Sequence, residues 1–301
     1  MPPPKTLPTI RAALLDLDGL LINSEGLLVD SIQHLLTSRS CPPMPDNLMA
    51  LAIGRLSDRF QPEEIKSWIG ENILGDGKWT TQEDFEKDVF EKCVTKRPNA
   101  NLLDGAEDLI RTLAVQAWVA PAGGGLGREK MEIAIVSNSI AVSLAAKCAP
   151  HNVFTLIPPS RKFCRDDPRL VTYPRRPKPA PDLFLSALSI LNKERSTPPN
   201  NQPEIQASEC LVFEDSVIGV EAARKAGMRV VWVPHPCARR AYRGQEWRVL
   251  SGALGGGESL VEGPGEEGKE CGMAEVRDSL VGFEYAKYGI FVDGCEGRLA
   301  N

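Results

Sequence analysis

Four short apolar runs punctuate the chain: Arg11–Leu17, Glu132–Val136, Cys210–Phe213 and Arg229–Val233. Each carries Val, Ile or Leu on consecutive positions, the pattern of strands covered on both faces rather than on one. Amphipathic stretches lie between them. Ala106, Leu109, Ile110, Leu113 and Ala114 fall at i, i+3, i+4, i+7 and i+8 of one helical stripe. An Asp104/Glu107 pair reads as the capping box of that helix. Ser216–Ala226 reads as a second helix, stopped by Gly227. Strand–helix alternation of this kind implies an α/β fold with a parallel, Rossmann-like sheet and right-handed crossovers.

The segment 26–103 breaks the alternation. It reads as helices around Leu27–Leu36, Glu63–Ile69 and Glu83–Cys93 with no strand between them, a helical subdomain inserted after the first strand. The core is then discontinuous, over 1–25 and 104–250. With 26 Gly and 24 Pro in 301 residues, the chain must also hold irregular segments. Pro121–Arg128, Glu194–Ser208 and Ser251–Glu275 read as surface insertions. The glycine-rich 251–275 stretch is expected to be a disordered loop, because it has too little apolar surface to offset the entropy of ordering. Residues 276–301 regain Leu280, Phe283, Tyr285, Tyr288, Ile290 and Phe291, and are expected to dock back onto the core.

Several classes are disfavoured. The formal charge is −5, without the basic stripe of a nucleic-acid binder. The eight cysteines contain no Cys-x-x-Cys pair and are too dilute for a disulfide scaffold, and the three histidines show no ligand spacing. Met1–Leu7 holds a single lysine, and Asp16 and Asp18 interrupt the first apolar run, so neither a signal peptide nor a membrane span is expected. A cytoplasmic monomer is the expectation.

Four motifs stand where strands end and helices begin. The first is Leu14-Leu15-Asp16-Leu17-Asp18-Gly19. Carboxylates two apart at a strand's carboxyl end address the place where open α/β sheets bind ligands. They could hold a hard cation such as Mg²⁺, or attack phosphorus; an Asp-Gly turn is the plainer alternative. The second, Val136-Ser137-Asn138-Ser139, suits phosphate binding or an ordinary helix N-cap. The third, Pro177-Lys178-Pro179, fixes a lysine in stiff backbone as a counter-charge, or is a solvated linker. The fourth, Phe213-Glu214-Asp215-Ser216, ends a strand in two acids that burial alone does not ask for, or caps a helix.

In this order and company the four motifs resemble those of the haloacid dehalogenase-like (HAD) hydrolases, over about residues 11–236. The stretches Leu17–Glu25 and Phe213–Ala223 look like the branch with an α-helical cap that includes pseudouridine-5′-phosphatases, glycerol-3-phosphatases and β-phosphoglucomutases. The resemblance implies a HAD core with 26–103 as the cap. It implies Asp16 as nucleophile and Asp18 as acid and base. It assigns the phosphoryl oxygens to Ser137 and Lys178 with help from Asn138, and Mg²⁺ to Asp16, the Asp18 carbonyl and Asp215 with Glu214 in support. Ile53-Gly54-Arg55 resembles the cap turn that faces the active site, which makes Arg55 a candidate substrate contact or else a surface arginine. The expected function is Mg²⁺-dependent hydrolysis of a small phosphorylated metabolite, a sugar, polyol or nucleoside monophosphate, through an aspartyl-phosphate. A sugar phosphomutase uses the same motifs and is the nearest alternative. A catalytically silent binding or regulatory protein is the alternative from another class.

Overall fold

The computed structural model describes residues 7–55, 59–75, 78–94, 100–121, 127–170, 176–252 and 273–293. Nine strands appear among them: β1 (Ala12–Leu15), β2 (Ala117–Val119), β3 (Glu129–Lys130), β4 (Glu132–Val136), β5 (Lys162–Phe163), β6 (Cys210–Glu214), β7 (Arg229–Trp232), β8 (Ala274–Val276) and β9 (Phe291–Val292). Six of them form one sheet in the order β5-β4-β1-β6-β7-β8. Every neighbouring pair in it is parallel.

The consecutive apolar residues of β1 divide by alternation. Ala13 and Leu15 enter one core with Ile133, Ile135, Leu109 and Leu113, while Ala12 and Leu14 enter the other with Ala134, Leu188 and Val220. A period of two thus feeds both faces of the sheet, so a strand buried on both sides needs no polar position. Helices α5 (Ala106–Arg111) and α6 (Ala141–Cys148) cover the first face, and α7 (Asp182–Ser196) and α8 (Val217–Lys225) the second.

Between β1 and α5 the described residues form four helices: α1 (Ser24–Ser38), α2 (Asp46–Ala52), α3 (Glu63–Asn72) and α4 (Gln82–Val94). They enclose a third apolar core of their own, with Leu28, Ile32, Leu36, Met49, Ile65, Ile69, Trp79 and Phe85. Cys237 of α9 (Pro236–Ala241) reaches into that core. Arg240 of the same helix grips Asp46 of α2 at 2.7 and 2.8 Å, so the inserted helices lean on the sheet domain here.

Several expectations need correction. The Asp104/Glu107 capping box does not form. Gly105 is the N-cap at φ +82°, and the helical stripe passes from α5 into a wider π-type turn over Thr112–Gln116. A Cβ on Gly105 would lie 2.6 Å from the Val281 backbone nitrogen, so the C-terminal segment and not a local side chain sets this helix start. The Glu194–Ser208 stretch is a surface insertion as expected, exposed from Ser196 to Glu204, but it is tied down. The Pro203 carbonyl accepts from buried Arg195 at 3.1 Å, and Ile205, itself buried, is tied by its N–H to Asn192.

In the stretch expected to be disordered, residues 253–272 lie outside the described residues. Its end is strand, since Ala274 and Glu275 pair with Val230 and Val231 as the start of β8. Residues 122–126 of the Pro/Gly-rich insertion are likewise not described. Its flanks form β2 and β3, which with β9 make a small antiparallel sheet where Trp118 stacks on Phe291. Leu280, Phe283, Tyr288 and Ile290 lie in the core of the first face. Among the described residues no helix is long and apolar enough to cross a membrane.

Candidate active site

The register of the sheet assembles the site. Leu15 pairs with Ile135 on one side and Phe213 on the other, which brings the carboxyl ends of β4, β1 and β6 level. Asp16 follows β1, Ser137 follows β4, Glu214 closes β6 and Asp215 follows it. Lys178 comes from the segment entering α7. Each of these five side chains is buried.

Lys178 is the hub. Its Nζ donates to Asp16 Oδ1 at 2.6 Å, to Glu214 Oε1 at 2.5 Å and to the Val136 carbonyl at 2.9 Å. Its backbone N–H donates to Asn138 Oδ1 at 3.0 Å, and Asn138 Nδ2 in turn donates to the Gly54 carbonyl of the inserted helical segment. Asn138 therefore spans the lysine loop and the helical insertion. Ser216 holds the other Glu214 oxygen through its Oγ at 3.1 Å.

Asp215 is different. It is buried, and among the described residues neither of its carboxylate oxygens has a hydrogen-bond partner. Burial raises its carboxyl well above the ordinary range, with Asp16, Glu214 and Glu25 adding to the effect and Lys178 opposing it. Burial likewise lifts Asp16 to about 8, against Lys178 and with help from Glu214 and Asp18. The nearby Glu25 is offset by Arg59, buried like it and 3.9 Å away. Among the described residues that leaves Asp16, Glu214 and Asp215 facing a single ammonium, a formal excess of two negative charges in a buried pocket.

A divalent cation cancels that excess and supplies Asp215 with a partner. Carboxylate oxygens of Asp16, Glu214 and Asp215 lie within 4.8 Å of one another, and an all-oxygen donor set suits a hard ion such as Mg²⁺. The residues present fit the metal.

Two glycines make room for this packing. Gly19 turns the chain at φ +83°, and a Cβ there would sit 2.1 Å from Asp215 Oδ2. A Cβ at Gly219, in the first turn of α8, would fall 2.0 Å from the carboxyl carbon of Glu214. Gly219→Ala is expected to lower stability by about 1–3 kcal/mol through overpacking, read as a lower urea midpoint. An unchanged midpoint would mean that the Glu214 carboxylate has space to move.

Asp18 points elsewhere. Its Oδ1 accepts from Ser24 Oγ at 2.5 Å and Lys147 Nζ at 2.6 Å, and its Oδ2 from Ser139 Oγ at 2.7 Å and Ser137 Oγ at 3.3 Å. Burial pushes this carboxyl up, but Lys147 and the hydroxyls outweigh it and hold it well below the usual range. Asp16 and Asp18 are two residues apart yet sit in opposite electrostatic surroundings.

Arg55 follows α2, with its Nε donating to the Leu51 carbonyl at 3.0 Å. The arginine of the insertion that meets the Glu25 carboxylate is Arg59. Sequence reasoning also passed over Lys147. The available signal was a lysine three residues after Leu144, on the stripe of α6 that is buried with Cys148.

A doubly wound parallel sheet, a helical insertion after its first strand and two acids after that strand define the class. The family model of haloacid dehalogenase-like hydrolases matches residues 10–227, and the chain belongs to that family of enzymes. A Saccharomyces cerevisiae protein named probable pseudouridine-5′-phosphatase is 27% identical over 285 residues, 93% of this chain and 98% of that one. The (DL)-glycerol-3-phosphatase 2 of Arabidopsis thaliana is 28% identical over 232 residues, 76% of this chain and 81% of that one. The same fold occurs in a crystal structure of a HAD family hydrolase from Deinococcus radiodurans. That structure matches with a TM-score of 0.52 at 23% identity, over 76% of this chain and 82% of that one.

Proposed function

We propose that the chain is a Mg²⁺-dependent phosphatase that hydrolyses a small phosphorylated metabolite, a sugar, polyol or nucleoside monophosphate, through an aspartyl-phosphate on Asp16. The observation that carries this reading is the buried Asp16 carboxylate, fixed by Lys178 beside Asp215, whose carboxylate has no hydrogen-bond partner among the described residues. Relatives named for phosphatase activity on pseudouridine 5′-phosphate and glycerol 3-phosphate support it.

In this reading Asp16 would be kept ionised by the cation. Asp18, ionised in the resting site, takes up a proton as substrate draws Ser137 Oγ away from it. An Asp16 oxygen attacks phosphorus while Asp18 passes that proton to the departing alkoxide, so that the alcohol leaves neutral. Water then attacks the phosphoryl group on Asp16. Asp18 takes the proton from that water, inorganic phosphate departs, and the Asp16 carboxylate is restored. Lys178 and Ser137 bind the phosphoryl oxygens, and Asn138 holds the lysine loop in place. Asp16, Glu214 and Asp215, with the Asp18 carbonyl, would hold Mg²⁺, whose charge offsets the repulsion between a carboxylate nucleophile and an anionic phosphate. The core over 1–25 and 104–250 performs the chemistry, and the cap over 26–103 selects the substrate, with Arg55 as a candidate contact.

The test is release of inorganic phosphate from a panel of sugar, polyol and nucleoside monophosphates, with Mg²⁺ or with EDTA. Turnover of at least one substrate is expected, with about a hundredfold or greater loss in EDTA, since the ion supplies several kcal/mol of charge stabilisation. Undiminished turnover in EDTA would sink the metal. Hexose 1-phosphates isomerised without released phosphate would replace the phosphatase with a mutase, and binding without turnover would replace the enzyme with a binding module.

A further inference from the structure

Lys147 is a charged side chain on the buried stripe of α6, with only 4% of it exposed. An apolar residue would pack there without the desolvation that an ammonium demands. Its Nζ reaches Asp18 Oδ1 at 2.6 Å and Ser139 Oγ at 2.9 Å, and Ser139 Oγ itself donates to Asp18 Oδ2 at 2.7 Å. Lysine and serine thus grip the two oxygens of one carboxylate and each other. With Ser24 on Oδ1 and Ser137 on Oδ2, four donors surround Asp18.

The four grips are unequal. Those on Oδ1 are 2.5 and 2.6 Å long, whereas the Ser137 contact on Oδ2 stretches to 3.3 Å. Ser137 is also the hydroxyl that follows β4 and is assigned above to a phosphoryl oxygen. When substrate takes that hydroxyl, Oδ2 loses its weakest partner and Oδ1 keeps both of its own.

We propose that Lys147 is a positioning residue: it anchors Oδ1 of Asp18, so that Oδ2 is the oxygen turned toward the substrate for proton transfer. The inference rests on the reading of Asp18 as the acid and base. It adds to that reading a residue on another helix, and an identity for the reacting oxygen.

Leaving-group dependence separates positioning from mere support. An alkyl phosphate that the enzyme turns over needs a proton on its departing oxygen; p-nitrophenyl phosphate does not, because nitrophenolate leaves unaided. kcat/KM is the quantity to read, since it stops at the first phosphoryl transfer. Loss of the ammonium lets the Asp18 carboxyl rise, which by itself favours proton donation, so a fall reports positioning. For Lys147→Met, kcat/KM is expected to fall about 30–100-fold on the alkyl phosphate and by less than about threefold on the aryl one, part of the full effect of a general acid. Lys147→Arg, which keeps the donor and the charge, is expected to recover at least about tenfold of the alkyl loss. Equal losses on both substrates, or no loss on either, would overturn the proposal. Turnover of the aryl phosphate reports whether each variant is folded, and Lys147→Gln carries the same comparison if the methionine variant is not. Asp18→Asn run on the same pair keeps the two ideas apart. If it lacks leaving-group dependence, the role of Asp18 fails; if it shows the dependence and Lys147→Met does not, only the anchor fails.

Discussion

In the Asp16→Asn variant, phosphate release is expected to fall by about 10⁴-fold or more with the fold intact, because an amide cannot make the acyl-phosphate bond. The substitution is nearly isosteric. The amide oxygen can still accept the 2.6 Å hydrogen bond that Lys178 now gives to Asp16 Oδ1, so the lysine is not stranded. Stability should move the other way. Asp16 binds its proton more tightly in the folded chain, at about 8, than at the ordinary value of 3.8. Its contribution to stability is therefore fully present below about 4 and is lost as the pH rises through about 8. Asparagine has nothing to lose over that interval. In EDTA the variant should gain on the wild type between pH 4 and 8, as measured by urea midpoints at several pH values. An active Asp16→Asn protein, or midpoints that run parallel, would contradict the assignment.

Asp215→Asn separates the needs of the metal from those of the fold. Both oxygens of Asp215 are without a partner among the described residues, inside a pocket that already has an excess of negative charge. A neutral amide replaces a carboxyl that burial, without the ion, forces to hold a proton well above its ordinary range, and its N–H groups can donate to the oxygens of Asp16 or Glu214. In EDTA the variant is expected to be more stable than the wild type by about 2 kcal/mol, or roughly 3 °C in Tm for a chain of 301 residues. With Mg²⁺ the order should reverse. At about a hundred times its Kd the ion is worth about 2.7 kcal/mol to the wild type, and it should do little for a variant with a crippled site. Activity should fall with the metal. A variant that melts below the wild type in EDTA, or that keeps the full Mg²⁺ shift, would show that Asp215 does not serve the ion. Such an exchange of resting stability for a charged site is common where function needs a group that folding alone would not place there.

How far the sequence reveals this arrangement depends on the reach of each interaction. β1, β4, β6 and β7 are legible because a strand buried on both faces must be apolar along its whole length. Asp16, Ser137, Glu214 and Asp215 are legible because each breaks such a run at its carboxyl end. Local spacing misses what distant segments decide. β8 is three residues long and owes its place to β7, and the antiparallel β2-β3-β9 sheet joins residues 117–119 and 129–130 to residues 291–292, far apart in the chain. Gly105 starts α5 because residues 280 and 281 press against it, which the Asp104/Glu107 spacing could not reveal. Lys147 is visible as a lysine out of place on an apolar stripe, but its partner Asp18 is fixed by topology. Arg59 and Glu25 are brought together only when the inserted segment, which carries both, folds on itself.

The place of β1 in the sheet also bears on how the protein is born. This strand leaves the ribosome first among those of the sheet, yet its neighbours are β4 at residues 132–136 and β6 at residues 210–214. At 5–20 residues per second, β6 follows β1 by about 10–40 s. Through that interval the inserted helices can assemble their own core, while Ala12–Leu15 waits with an unsatisfied edge. A nascent chain halted anywhere before β6 lacks half of the pairing of its first strand, and with it two of the three acids of the pocket. Asp16 and Asp18 stand beside the waiting apolar run as charged gatekeepers against association with other chains. The two carboxylates proposed to act on phosphate thus have an earlier duty, which begins well before there is a site for them to serve.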